Sequence, residues 1–254
     1  MTTTVADVDW NAWLARWHRQ QERYLHGRPR RFAIMLDYVD QLRGGDPLAL
    51  VDLCCGPGSI TATALERFPS ATITACDIDP WLVEMGRRTV GPEPRVRWLE
   101  ADLRAEGWTE SLPRGAYDAV LTSTALHWLH RDELVRLFDR LGEVLASGGL
   151  FLNADHLPVG RGRVAAASHE RKQLESSAKL AEPGAESWEQ YWQAARAEPA
   201  FADLLAERER RFANRRRAEP VPVEFHREAL IAAGFAEVGE VWRDHDDAIL
   251  VAIR

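Results

Sequence analysis

The sequence predicts an α/β fold: a doubly wound, mostly parallel seven-stranded sheet with helices on both faces and a C-terminal antiparallel hairpin. Three observations carry this expectation. Short apolar runs of strand length alternate with helix-length segments between residues 48 and 154. A Gly-x-Gly loop (Gly56, Gly58) joins the first apolar run to the first of those helices. An acidic residue, Asp77, closes the second run about 20 residues further on.

Residues 9–43 read as helical with one break. Trp10, Trp13, Leu14, Trp17 and Tyr24 recur at helical steps on one face. His26 to Pro29 punctuates the pattern, Phe32, Ile34, Met35, Tyr38 and Leu42 continue it, and the GGDP stretch at 44–47 opens a turn. LALVDL (48–53) is a continuous apolar run of the kind a buried parallel strand needs. A helix over 58–67 follows, then TITAC (72–76) as a second strand. Pro80 to Thr89 is a helix with proline in its first turn, where the missing N–H costs nothing. RVRWL (95–99) and YDAVLTS (117–123) are the third and fourth strands, Asp132 to Leu145 a long amphipathic helix, and GLFLNA (149–154) the fifth strand.

Residues 157–219 interrupt the rhythm with a polar, helix-prone insertion that carries Trp188, Tyr191 and Trp192 and a basic end from Arg208 to Arg217. The α/β pattern resumes at Val223 with a helix to Ala233. Two strands, 238–243 and 248–254, flank an acidic turn and form a hairpin at the sheet edge.

The composition narrows the function classes. With 46% hydrophobic and 28% charged residues the 254-residue chain has the make-up of a globular protein. No apolar run approaches the roughly 18–20 residues that cross a bilayer, and the first residues lack the basic and apolar regions of a secretory signal. A cytoplasmic location is the expectation. Cys54, Cys55 and Cys76 have neither CxxC spacing nor a nearby histidine at zinc spacing, so buried thiols are expected and no metal. A net charge of -7 opposes nucleic acid as a partner.

The order strand, glycine loop, helix, strand, acid is the chemistry-bearing signal. Glycines let the loop turn tightly and approach a ligand, and the acid can accept both hydroxyls of an adenosine ribose. VDLCCGPGS resembles the first motif of the class I S-adenosylmethionine (SAM)-dependent methyltransferases, Asp-Leu-Gly-Cys-Gly-x-Gly, with Cys54 in place of the first glycine. An NAD-binding loop would prefer a third glycine where Thr61 stands. The resemblance spans roughly residues 45–155 plus the terminal hairpin, and it implies a Rossmann-like domain with SAM as cofactor. The chain is then one domain: an N-terminal helical cover (1–44), a cofactor-binding core (45–156), a helical lid (157–219) and a completion of the sheet (220–254).

The resemblance assigns the cofactor to Asp52, Cys54, Gly56, Gly58, Asp77 and Ile78. Asp102 would face the adenine amino group and Leu103 the ring, with Ser123 at the fourth strand's end. Tyr24 and Arg31 of the helical cover are candidates for the methionine portion. The segment STALHWL has some likeness to the trans-aconitate methyltransferase group. It implies transfer to an oxygen of a small molecule, a carboxylate or hydroxyl. The alternatives are a nucleic-acid or protein acceptor, or a non-methylating reaction on the same fold. Ligands of such sheets bind beyond the strands' carboxyl ends. His127 is therefore the candidate base or acceptor-orienting group, with His156 as a second candidate. Trp128, Asp155, Trp188 and Trp192 are candidates for the acceptor pocket. Asp155 and His156 are neighbours on one strand and point opposite ways, so only one is expected to see the pocket.

Overall fold

The computed structural model describes residues 5–254 apart from 26, 46, 161, 182–185, 214 and 217. His26 of the predicted helix break and Asn214 and Arg217 of the basic run therefore lie outside the described residues.

Two helices, α1 (Trp10–Tyr24) and α2 (Arg28–Arg43), precede β1 (Ala49–Leu53). The chain continues through α3 (Ser59–Arg67), β2 (Thr72–Asp77), α4 (Pro80–Val90), β3 (Val96–Glu100) and β4 (Tyr117–Ser123). Next come α5 (Arg131–Val144) and β5 (Leu145–His156), then the insertion helices α6 (Arg163–Leu180), α7 (Trp188–Ala197) and α8 (Ala202–Phe212). Helix α9 (Val223–Ala232) and the hairpin β6 (Glu237–Asp244) and β7 (Asp247–Ile253) complete the chain. The strands form one seven-stranded sheet in the order β3-β2-β1-β4-β5-β7-β6. Pairing is parallel up to β5; β7 runs antiparallel between β5 and β6. From β1 the chain winds toward β3, then returns across β1 to β4 and onward. This reversal opens a crevice at the carboxyl ends of β1 and β4.

Alternation along the strands assigns each face its layer. Leu50, Ala119, Leu121, Leu150 and Leu152 pack against Phe32, Met35 and Leu36 of α2 and Ile60 of α3. Val51, Val120, Phe151 and Ala252 pack on the opposite side against Leu134, Leu137, Phe138 and Leu141 of α5 and Leu230 of α9. β5 starts at Leu145, earlier than the predicted 149. The chain passes from α5 into the strand without a loop, and the β4–β5 register shifts between Tyr117 and Ala119.

A third apolar cluster ties α1 to α4, α7 and α8. Trp10 and Trp17 of α1, Trp81 of α4, Tyr191 and Trp192 of α7, Phe201 and Leu205 are all buried together. Neighbouring rings meet at 5.1–6.4 Å, mostly tilted or edge-on, as the aromatic quadrupole prefers. The caps are local. Asp79 accepts from Trp81 N and Leu82 N ahead of Pro80, and Ser187 and Gln190 form a reciprocal capping box on α7. Among the described residues, no helix is long and apolar enough to cross a membrane.

Candidate functional site

The crevice at the strand reversal is a cavity of about 770 Å³, inside the range of roughly 300–1,000 Å³ that small ligands occupy. Its floor is the loop after β1. There Cys54, Gly56 and Gly58 all have left-handed backbone, with φ of 57°, 54° and 77°. Cys55 N donates to Cys76 O at 3.0 Å and Gly58 N to Cys55 O at 2.9 Å, which folds the loop onto the end of β2. A Cβ at position 58 would come within 2.5 Å of the Trp98 ring, so glycine also serves close packing there.

Asp77, at the end of β2, accepts from Gly56 N at 2.8 Å and from Asp79 N at 2.9 Å. A carboxylate offers about four acceptor sites, so these two bonds fix its orientation and leave capacity for a ligand's hydroxyls. Burial, helped by the neighbouring Asp79, pushes its carboxyl up to about 6. Helix α8 and the chain after it lie over this end. Arg208 Nε donates to Asp79 Oδ2 at 2.6 Å with its guanidinium 3.7 Å above the Trp192 ring, and Arg211 donates to Ile78 O at 3.0 Å.

The far end of the cavity is built from the segments after β4 and at the end of β5, which the β4–β5 pairing places side by side. His127 Nδ1 lies 2.7 Å from Asp155 Oδ1, and His127 N donates to Asp155 Oδ2 at 3.1 Å. His156 N also donates to Asp155, at 2.7 Å. Burial pushes the Asp155 carboxyl up, but the His127 imidazole and the His156 contacts outweigh it and hold the group well below the usual range. The His156 ring stands 4.8 Å from that of His127, and its Nδ1 lies 2.5 Å from both Asp247 Oδ1 and Lys172 Nζ. Burial, with Lys172 adding to it, lowers the His156 pKa against the pull of Asp247. Trp128 and Trp188 stand half out of the protein at the rim, and Trp188 N donates to the Tyr24 hydroxyl at 3.2 Å.

Residues 50–149, from the first strand to the start of the fifth, match the family described as a methyltransferase domain. That stretch of the chain is similar to a methyltransferase domain. Trans-aconitate 2-methyltransferase of Streptomyces avermitilis is 35% identical over 127 residues, 48% of this chain and 45% of that protein. Malonyl-[acyl-carrier protein] O-methyltransferase of Halalkalibacterium halodurans is 28% identical over 123 residues, 48% of this chain and 44% of that protein. The alignments span less than half the length of these curated relatives. The solved structure of an O-methyltransferase family protein from Burkholderia thailandensis has a TM-score of 0.54 at 19% identity, over 92% of this chain and 62% of that one; the likeness is one of fold.

Tyr24, Cys54, Gly56, Asp77, Ile78, Leu103, Ser123, His127, Trp128, His156 and Trp188 all line the one cavity. Six of the sequence-assigned residues do not. Asp52 points at the start of α3, where its Oδ2 accepts from Thr61 N at 2.9 Å and Thr61 Oγ1 at 2.7 Å. It holds the loop from behind. Gly58 gives its space to Trp98, and Trp192 is buried in the aromatic cluster. Asp102 is gripped by Arg104 at 2.7–3.2 Å and borders a smaller neighbouring cavity of about 290 Å³. Asp155 is fully buried beneath the two histidines.

Arg31 is fully buried too, 3.5 Å from Asp247 and beside the Trp242 ring. The arginine of α2 that lines the cavity is instead Arg28, one helical turn earlier, whose Nη2 donates to Ser59 Oγ at 2.9 Å. Sequence reasoning missed Arg28, although its place beside the helix break was a usable signal. It also missed Asp79, whose position before Pro80 marked a helix N-cap but gave no hint of its ion pair with Arg208.

Proposed function

We propose that the protein transfers a methyl group from SAM to an oxygen of a small-molecule carboxylic acid. The observation that carries this reading is that one cavity joins a ribose-type acid on a glycine loop to a pair of oriented imidazoles. The residues at the first end fit the cofactor: Asp77 has acceptor capacity beyond its two backbone bonds, and Gly56 presents no Cβ to the cavity. Asp77 would hold the ribose, Ile78 and Leu103 the adenine, and Arg28 and Tyr24 the methionine portion. Bound there, SAM would supply an electrophilic methyl group on a sulfonium. The protein's own contribution is to position the acceptor and keep water out.

The far end favours an anionic acceptor. His127 and His156 face it and Arg28 shares the lining, whereas the nearby carboxylates, Asp155 and Asp247, are buried behind the imidazoles. The names of the relatives, methyltransferases of trans-aconitate and of a malonyl thioester, support the same acceptor chemistry. An ionised carboxylate needs no base, so orientation is the task left to the side chains. In this reading the whole chain is one cytoplasmic domain, with 1–44 as a cover and 157–219 as a lid over the acceptor.

The test is incubation with methyl-labelled SAM and a panel containing trans-aconitate, malonate and phenolic and alcoholic acceptors, with products identified by mass spectrometry. The expected product is a labelled methyl ester. Label found only on phenols or alcohols, or no SAM binding by calorimetry, would sink the proposal.

A further inference from the structure

We propose that His127 and His156, each pinned through Nδ1 over a buried aspartate, form a two-imidazole clamp for the acceptor's carboxylate, with Asp155 as the positioning residue. This rests on the carboxylate reading above and assigns it to particular atoms. Asp155 is fully buried and uses both oxygens on this one task. Oδ2 takes the main-chain N–H of His127, and Oδ1 takes the ring at 2.7 Å and the N–H of His156. A carboxylate held as an anion only accepts, so the His127 Nδ1 carries the proton and donates it. Nε2, across the ring, is left to the cavity that the residue lines.

His156 is built the same way from the other side of the strand. Its Nδ1 is occupied by Asp247 and Lys172, which also pair with each other. Its Nε2 edge therefore serves the same cavity, and the rings are 4.8 Å apart at an interplanar angle of 51°. Two rings at that separation suit one carboxylate bridging both. An imidazolium at His127, balanced by Asp155 beneath it, would donate to the acceptor from Nε2. The charged groups set around the pair are Asp155 of β5, Asp247 of β7, Lys172 of α6, and Arg28 and Arg31 of α2, with His226 of α9 near Asp155 and Arg131 of α5 near His226. This grouping favours an anion in the cavity.

Two readouts test this. The first needs no cofactor. In protein with 15N-labelled histidine, malonate and tricarballylate are titrated against their methyl esters. The acids should shift the Nε2 resonances of both His127 and His156, and the esters should shift neither. The second is kinetic. Asp155→Asn should raise KM for a carboxylate acceptor roughly tenfold to a hundredfold, the size expected for a charge-assisted hydrogen bond. Its kcat and its affinity for SAM should stay within about twofold. If Asp155→Asn does not fold, His127→Gln takes its place with the same KM and kcat readouts.

Silent rings at saturating acid, including failure of any acid to bind, overturn the clamp. If carboxylates are methylated while the rings stay silent, the clamp falls and the carboxylate reading stands. If only hydroxyl acceptors are methylated, both fall.

Discussion

At Asp52 the fold keeps a carboxyl where an amide is predicted to be the better choice at neutral pH. The side chain is buried between β1 and α3, Oδ2 takes both Thr61 donors, and Oδ1 has no partner among the described residues. Burial pushes its pKa from the ordinary 3.8 to about 6; the Thr61 bonds oppose this, and the charge on Asp77 adds to it. Because the folded state holds the proton to higher pH than the unfolded state, the contribution to stability is full below about 4 and falls as pH rises toward 6. A displacement of roughly two pKa units at 1.36 kcal/mol each makes the total about 3 kcal/mol, of which about 2 kcal/mol falls between pH 4.5 and 7.5. Asp52→Asn keeps an oxygen for Thr61 and does not titrate. Its amide group would meet the place where Oδ1 is unpartnered, at a pH-independent cost of about 1–3 kcal/mol. Urea denaturation of wild type and variant at pH 4.5 and 7.5 separates the two effects. The difference in unfolding free energy should move by about 2 kcal/mol in the variant's favour between those pH values. Parallel pH profiles would refute the reasoning, because they would mean that Asp52 does not titrate in this window.

Other expectations follow from the same loop. Asp77→Ala removes the proposed ribose acceptor and the partner of Gly56 N; calorimetry should show SAM affinity reduced at least about tenfold. Cys54→Gly relieves a left-handed residue, φ 57°, worth roughly 1–2 kcal/mol, less the 0.5–1 kcal/mol that glycine loses in conformational freedom. The melting temperature should rise slightly, and a drop would show that the thiol's packing outweighs the backbone strain. Gly86→Ala places a methyl group against the Trp98 ring and the Pro57 backbone and should lower stability by about 1–3 kcal/mol. Adding Trp98→Leu should recover part of that loss, as read by thermal melting.

The parts legible in the sequence are those whose cause is local. The strands of the core, the helix starting at Pro80 and the hairpin were marked by runs, caps and turns within a few residues of themselves. The glycine loop and Asp77 were legible for the same reason, since parallel pairing of β1 and β2 brings the end of one beside the end of the other. The limit shows at Asp52 and Arg31. Asp52 belongs to the motif but alternates to the face that meets α3. Arg31 lies one helical step beyond Arg28, far enough to aim at Asp247 of β7 and away from the cavity. Asp102 shows the other kind of locality, an arginine two residues away that takes both of its oxygens.

The histidine end was legible in position and not in wiring. Placing His127 after β4 and His156 at the end of β5 needed only the rule that ligands sit beyond strand ends. What each does depends on Asp155 and Asp247, and neither relation could be read along the chain. Alternation on β5 sends Asp155 inward and leaves its neighbour His156 to the cavity. The parallel β4–β5 pairing, with Ser123 opposite Ala154, then sets the loop carrying His127 directly over Asp155. The antiparallel β5–β7 pairing sets His156 opposite Asp247 in the same way. Each imidazole thus obtains its aspartate from a strand register, one parallel and one antiparallel, 28 and 91 residues apart in sequence. A one-residue slip in either register would turn the aspartate to the opposite face and leave a charge buried without its partner. The pairing of the central and edge strands is therefore under the same constraint as the acceptor site, and the hairpin that closes the sheet is also part of the wall behind His156.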